Sequence, residues 1–264
     1  MQAKLHRALG ATPTAYQRGR MAVDRTIERL DDLAVDGSTG RLILVNIASA
    51  ELIAYDGGVE ILRSRVIVGS GRTRTPQMTT FVTAARYNPP WYVPASIEPE
   101  IRAAGAVGFR VVNGRLIQPP GPTNPLGPIR IGLVDSDGIF LHGTSNPAGF
   151  ARPNRAVSHG CVRVERIRDL AAWMLDAAPA TVQAMLATGR TLEFVPAQEV
   201  QVALAYLTAW PDSNGKVALH ADRYGLDVPG TRRGGYRRIA RPLPQMPAEA
   251  LEAARVATPE DNPL

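Results

Sequence analysis

The sequence predicts a β-rich mixed α+β fold: a sandwich or barrel-like core with a few short helices. Three observations carry this. Segments such as RLILVNIA (41–48), ELIAYD (51–56) and VEILRSRVIVG (59–69) are short, rich in branched residues and separated by small polar turns, which is strand texture. Helical spacing of apolar residues occurs at only a few places. Strands follow strands without regular β-α alternation, which argues against a doubly wound parallel sheet.

The elements follow in order. Residues 16–34 place Val23, Ile27, Leu30 and Leu33 near helical spacing, and Asp36-Gly37-Ser38 supplies turn chemistry after them. Asp56-Gly57-Gly58 reads as a hairpin turn. The proline-rich ARYNPPWYVP (85–94) is expected to be irregular or to lie at a sheet edge. IEPEIRAAG (97–105) is a short helix stopped by Gly105. IQPPGPTNPLGPIRIGLVDSDGIFLHGTS (117–145) begins as a loop and becomes two strands, 129–134 and 138–142, around Asp135-Ser136-Asp137-Gly138. Residues 167–177 put Ile167, Leu170, Ala171 and Met174 on one helical face, and 181–189 form a second helix ending at Gly189. TLEFVP and VQVALAYLTAW return to strand, and Asp212-Ser213-Asn214-Gly215 turns into KVALHADRYG. This divides the chain into an N-terminal helical segment (1–39), a core (40–229) and a basic, proline-rich tail (230–264). The tail is expected to be mostly mobile, with a short helix at 247–256.

The 264 residues, of which one is cysteine, carry a formal charge of +6. No run of apolar residues is long enough for a membrane helix. MQAKLHRALGATPTAYQRGR has no apolar h-region and does not read as a signal peptide. The basic excess is not an aromatic-interleaved stripe, so no nucleic-acid partner is expected. The cluster Arg232, Arg233, Arg237 and Arg238 reads as a solvated tail, with anionic polymer as its natural contact. Neither a GxGxxG after a strand nor a GxxxxGK[ST] is present.

The lone cysteine lies in AVSHGCVRV (156–164). A free cysteine is often a small buried hydrophobe, but the neighbours of Cys161 suggest chemistry. His142 ends an apolar strand upstream, and the polar segment 143–157 is able to fold back and bring the two together. An imidazole can take the thiol proton, and cations such as His159 and Arg163 lower a thiol pKa. Gly160 gives freedom to present Cys161 in an unusual turn, whose backbone N–H groups suit an oxyanion. The Ser158 hydroxyl is able to orient a histidine. The bland alternatives are that His142 is structural, that Gly143 and Gly160 are turn residues, and that Arg163 pairs with Glu165 or Asp169.

HGT followed by SHGCVRV resembles the active-site motif of L,D-transpeptidase (YkuD-like) catalytic domains. VNIASAELIAYDGG, VGSGRTRTPQMTT, NPPWYVPASIEPEI, QPPGPTNPLGPIRI and LAYLTAWPDSNGKVALHADRYG resemble further stretches of its longer subgroup, so the likeness spans about 40–228. It implies a cysteine peptidyltransferase that acts on peptidoglycan stem peptides in the cell envelope or periplasm. The start of the chain then lies upstream, or the mature chain is given, or export takes another route. By resemblance Cys161 is the nucleophile and His142 the general base, while His159 and Ser158 help set the site. Gly160 and Cys161 supply oxyanion-binding backbone, Arg163 holds a substrate carboxylate, and Gly143 and Thr144 belong to the substrate site. No cofactor or metal is implied, and carbapenems are expected inactivators. Departures are Ile117, where the subgroup commonly has arginine, and the short segment from His142 to Cys161. Two other readings stay open: hydrolysis of the same thioester by an L,D-carboxypeptidase or endopeptidase, and a non-catalytic wall-binding or zinc module built on His142, His159 and Cys161.

Overall fold

The computed structural model describes residues 17–33, 35, 38–212, 214–228 and 235–239. Asp36, Gly37, Ser213, Arg232, Arg233 and the helix expected at 247–256 lie outside them. Helix α1 (Gln17–Leu33) leads into β1 (Arg41–Asn46), β2 (Glu51–Asp56), β3 (Val59–Gly69) and β4 (Gln77–Tyr87). Then come β5 (Trp91–Tyr92), α2 (Glu98–Ala103), β6 (Arg110–Val112), β7 (Arg115–Gln118), β8 (Ile129–Leu133) and β9 (Leu141–His142). A 3₁₀ turn (Pro147–Ala151) precedes β10 (Ala156–Ser158), β11 (Val162–Val164), α3 (Ile167–Met174) and α4 (Pro179–Ala187). The last elements are β12 (Leu192–Phe194), β13 (Val200–Ala205), β14 (Ala209–Pro211), β15 (Val217–Leu219) and β16 (Tyr236–Arg238).

The main sheet runs β3-β11-β9-β8-β4-β13-β1-β2, and β2 pairs back onto β3, which closes it into a barrel. Closure depends on the two 11-residue strands. One end of β3 pairs with β2 and the other with β11 and β10. One end of β4 pairs with β13 and the other with β8 and β12. A long strand that changes partner along its length turns the corner that a short one cannot.

Side chains alternate across each strand, and both faces of β1 are buried. Ile43 and Val45 join the barrel interior with Val66, Val82, Ile131, Leu141 and Val162. Leu42 and Leu44 face outward and meet Ala22, Val23, Leu30 and Leu33 of α1 in a second core with Trp210. Helix α1 is thus packed on the barrel, where Arg29, itself buried, pairs with Asp227 at 2.7 Å. Ile167, Leu170, Ala171 and Met174 of α3 enter the main core, so the face expected from their spacing is the buried one.

Two segments refine the expectations. Of 85–94, the first residues still belong to β4; Pro89 and Pro90 break the strand, and Trp91–Tyr92 forms the edge of a small separate sheet ordered β5-β7-β6. In the stretch expected to be mostly mobile, residues 236–238 pair parallel with β4. Arg237 bonds Asp137 at 2.6 Å, and Arg238 donates to the Asp32 carbonyl. These two arginines are bound to the core because an open edge of β4 accepts their strand.

Candidate active site

The site is one outward face of β8, β9 and β11. Ile129, Ile131, Leu141, Val162 and Val164 point into the core, so alternation turns Arg130, Phe140, His142, Cys161 and Arg163 to the other side. The parallel pairing of β9 with β11 sets Arg163 opposite His142 and Val162 opposite Leu141. Cys161 therefore enters β11 level with Phe140, on the strand beside His142. Adjacent strands lie roughly 4.8 Å apart, and diagonal neighbours are within reach of aromatic side chains.

The turn that delivers Cys161 is held from several directions. Gly160 has φ +125°, and a Cβ there would lie 3.1 Å from Ile139 Cδ1; only glycine takes this backbone without strain. Ser158 Oγ donates to the Cys161 carbonyl at 2.7 Å and accepts from the Gly160 N–H at 3.1 Å. This corrects two expectations. Ser158 locks the turn and does not orient a histidine. The Gly160 N–H is committed to Ser158, whereas the Cys161 N–H is unbonded among the described residues.

A second loop braces the first. Thr73 donates to the Ser158 carbonyl at 2.7 Å. Thr75 donates to the Gly160 carbonyl at 2.7 Å and accepts from the Gly69 N–H at 2.9 Å. Tyr224 Oη accepts from the Thr75 N–H and donates to the Gly69 carbonyl, tying the brace to the C-terminal segment. Replacing Thr75 with valine keeps the shape and strands two buried polar groups, which costs about 1–3 kcal/mol each at most. The expected result is a lower urea midpoint and slower acylation of Cys161, both recovered by serine.

His142 is 5% exposed. Burial first, then the cation of Arg163, pushes its pKa down to about 3; the carbonyls of Gly143 and Leu126 oppose this. Among the described residues no partner reaches Nδ1 at hydrogen-bonding geometry. The ring is therefore neutral and able to accept a proton. Loop 124–128 packs tightly over it: Asn124 Nδ2 donates to the Pro89 and Pro119 carbonyls, and Asn124 Oδ1 accepts from the Leu126 N–H. At Gly127, φ is +66° and a Cβ would lie 2.3 Å from the Thr144 N, so the loop and the end of β9 fit only with glycine there.

Burial pushes the Cys161 thiol up from its usual range, against the Phe140 backbone amide and the guanidiniums of Arg130 and Arg163. Cys161 Sγ lies 3.5 Å from the Gly138 carbonyl. Arg163 makes no ion pair with Glu165 or Asp169, because Arg65 holds the first at 2.5 Å and Arg166 the second at 2.7 Å. His159 is exposed at the rim of the turn. Gly143 and Thr144 continue past His142 toward two cavities of about 380 and 360 Å³. Thr144 lines both and Gly143 the smaller; Cys161 lines neither. Among the described residues no three His, Cys, Asp or Glu side chains converge as a metal site, and no single helix is long and apolar enough to cross a membrane.

Arg130, Thr75, Tyr224 and Asn124 carry no local signal that marks them as site residues, although each lies in a stretch that resembles the family.

Residues 40–182 match the YkuD family, described as the L,D-transpeptidase catalytic domain. A Haemophilus influenzae protein named "Putative L,D-transpeptidase" is 31% identical over 217 residues, 70% of this chain and 44% of that protein. The Escherichia coli protein named "Probable L,D-transpeptidase YcfS" is 35% identical over 126 residues, 46% of this chain and 37% of that protein. The chain thus spans less than half the length of these curated relatives. Among solved structures, an L,D-transpeptidase from Mycobacterium smegmatis aligns over 62% of this chain and 58% of that one, with 16% identity and a TM-score of 0.35. By the family match over 40–182, this chain belongs to the YkuD family of L,D-transpeptidase catalytic domains.

Proposed function

We propose that the chain is a peptidoglycan L,D-transpeptidase working through an acyl-enzyme on Cys161. The observation that carries the reading is the shared face: Cys161 at the entry to β11 and His142 on the parallel neighbour β9, with the Cys161 N–H unbonded among the described residues and Arg163 beside them. The thiol sulfur adds to the carbonyl that joins the L-centre of diaminopimelate to terminal D-alanine. Its proton passes to His142, and the oxyanion is met by the Cys161 N–H. The C–N bond breaks, the departing amine takes the proton from His142, and D-alanine leaves a thioester. The side-chain amine of a second stem then attacks this thioester. The C–S bond breaks, a cross-link forms, and the proton lost by the amine returns to sulfur through His142.

Neutral thiol and neutral imidazole are the resting pair in this scheme, so proton transfer accompanies attack. Arg163 holds a substrate carboxylate, for which a guanidinium offers a two-pronged contact. Gly143 and Thr144, next to His142, border the cavities toward which the peptide extends, and His159 lies exposed beside the Cys161 turn. The reading places the protein at the cell envelope, where its substrate is.

Incubation with a tetrapeptide-bearing muropeptide, followed by mass spectrometry of protein and products, tests it. The expected result is a protein adduct of the acyl mass, free D-alanine and cross-linked dimers. Trimmed monomers without dimers would reassign the protein as a carboxypeptidase using water as acceptor, and no release of D-alanine would overturn the reading.

A further inference from the structure

One rung of the barrel carries more cations than ion-pair partners among the described residues, with Glu193 paired to Arg86 and acting on Arg130 only from beyond it. Across β4, β8, β9 and β11, the residues in lateral register are Arg86, Arg130, His142 and Arg163. Arg86 is satisfied, because Glu193 on β12, next in the same rung, bonds it at 2.6 Å. Arg130 and Arg163 form no ion pair among the described residues, and the Nε of each is buried without a hydrogen-bond partner. The Arg130 guanidinium lies over the Phe140 ring, 4.6 Å from its centroid, and that ring meets His142 edge-on at 5.5 Å. Two half-buried cations therefore flank the histidine from either side, one on β8 and one on β11.

A guanidinium taken out of water without a counter-charge is costly, and the cost is recovered when a carboxylate arrives. Burial disfavours the charged form of both groups. Both also act on the Cys161 sulfur, so each lies within electrostatic reach of the reacting atom. One carboxylate satisfies one fork of this kind. Two forks on opposite sides of the histidine call for two.

We infer that Arg130 is a specificity residue that receives a second substrate carboxylate, so that the site selects peptides bearing a carboxylate on each side of the attacked carbonyl. The inference rests on the transpeptidase reading. In a stem tetrapeptide the two groups are the diaminopimelate side-chain carboxylate on the acyl side and the D-alanine carboxylate on the leaving side.

The test uses three tetrapeptide donors: both carboxylates free, the acyl-side one amidated, and the terminal one amidated. Acylation of Cys161 is followed by protein mass. Wild type is expected to favour the fully free donor over each amide by about ten- to a hundredfold, the usual worth of a charge-assisted hydrogen bond. Arg130→Gln should erase the preference against one amide and Arg163→Gln the preference against the other, with Arg130→Lys retaining part. A merely structural Arg130 would slow all three donors alike with preferences unchanged, and that result overturns the inference. So does a wild type with no preference between free and acyl-side or terminal amide, a measurement that needs no variant to fold. Failure of wild type to be acylated by any donor overturns both this inference and the transpeptidase reading.

Discussion

Replacing Cys161 with alanine leaves a folded protein that gains no mass from a tetrapeptide donor or a carbapenem, while wild type gains one adduct. The loss is complete because the chain has a single sulfhydryl, and no neighbouring hydroxyl stands in for it. Ser158 and Thr75 have their hydroxyls committed to the Cys161 and Gly160 carbonyls. The fold survives because the turn is held through backbone and hydroxyl groups; the sulfur itself contributes a 3.5 Å contact with the Gly138 carbonyl and one with the Phe140 backbone amide. Equal mass gain in the alanine variant would overturn the assignment.

The same sulfur has a pH signature. Its pKa is raised by burial, with the Phe140 amide and the two guanidiniums opposing. His142 is held neutral and so offers no imidazolium to stabilise a resting thiolate. The thiolate fraction is therefore small at neutral pH, and alkylation by iodoacetamide should keep rising through pH 9. A plateau reached near pH 6 or 7, as from a preformed thiolate–imidazolium pair, would contradict this electrostatic account.

What the sequence made legible was local. The apolar run GIFL marked a strand ending at His142, and the helical spacing of Ile167, Leu170, Ala171 and Met174 marked a face that is buried. The Ser-His-Gly-Cys run announced its own turn. The unread part is made of contacts between segments far apart in the chain. Arg130 in PIRIGL is an ordinary outward arginine until β8, β9 and β11 are laid side by side, and its lack of an ion pair among the described residues emerges only when Glu193 is found on Arg86. Thr75 and Tyr224 brace the Cys161 turn across separations of 85 and 155 residues, which no spacing rule reaches. Arg237 and Arg238 had the composition of a solvated tail, and only the free edge of β4 makes them a strand.

His142→Gln is expected to slow acylation of Cys161 by about 10²–10⁴-fold, the usual cost of losing a general base, with little change in donor KM. Glutamine keeps polarity and much of the volume but cannot carry the thiol proton. The strand is expected to persist, since β9 is held by backbone pairing to β8 and β11. A second readout separates chemistry from packing. The His142 pKa is depressed to about 3 in the folded protein, chiefly by burial and then by Arg163, whereas a free imidazole titrates near 6.5. Between those values the unfolded chain binds a proton that the folded one rejects, so the stability contributed by this group falls as pH drops below about 6.5. The glutamine variant loses that dependence, and its urea midpoint should decline less than that of wild type from pH 7 to pH 4. An unchanged acylation rate together with an unchanged acid profile would mean that the ring neither takes the proton from sulfur nor sits neutral in the wall of the barrel.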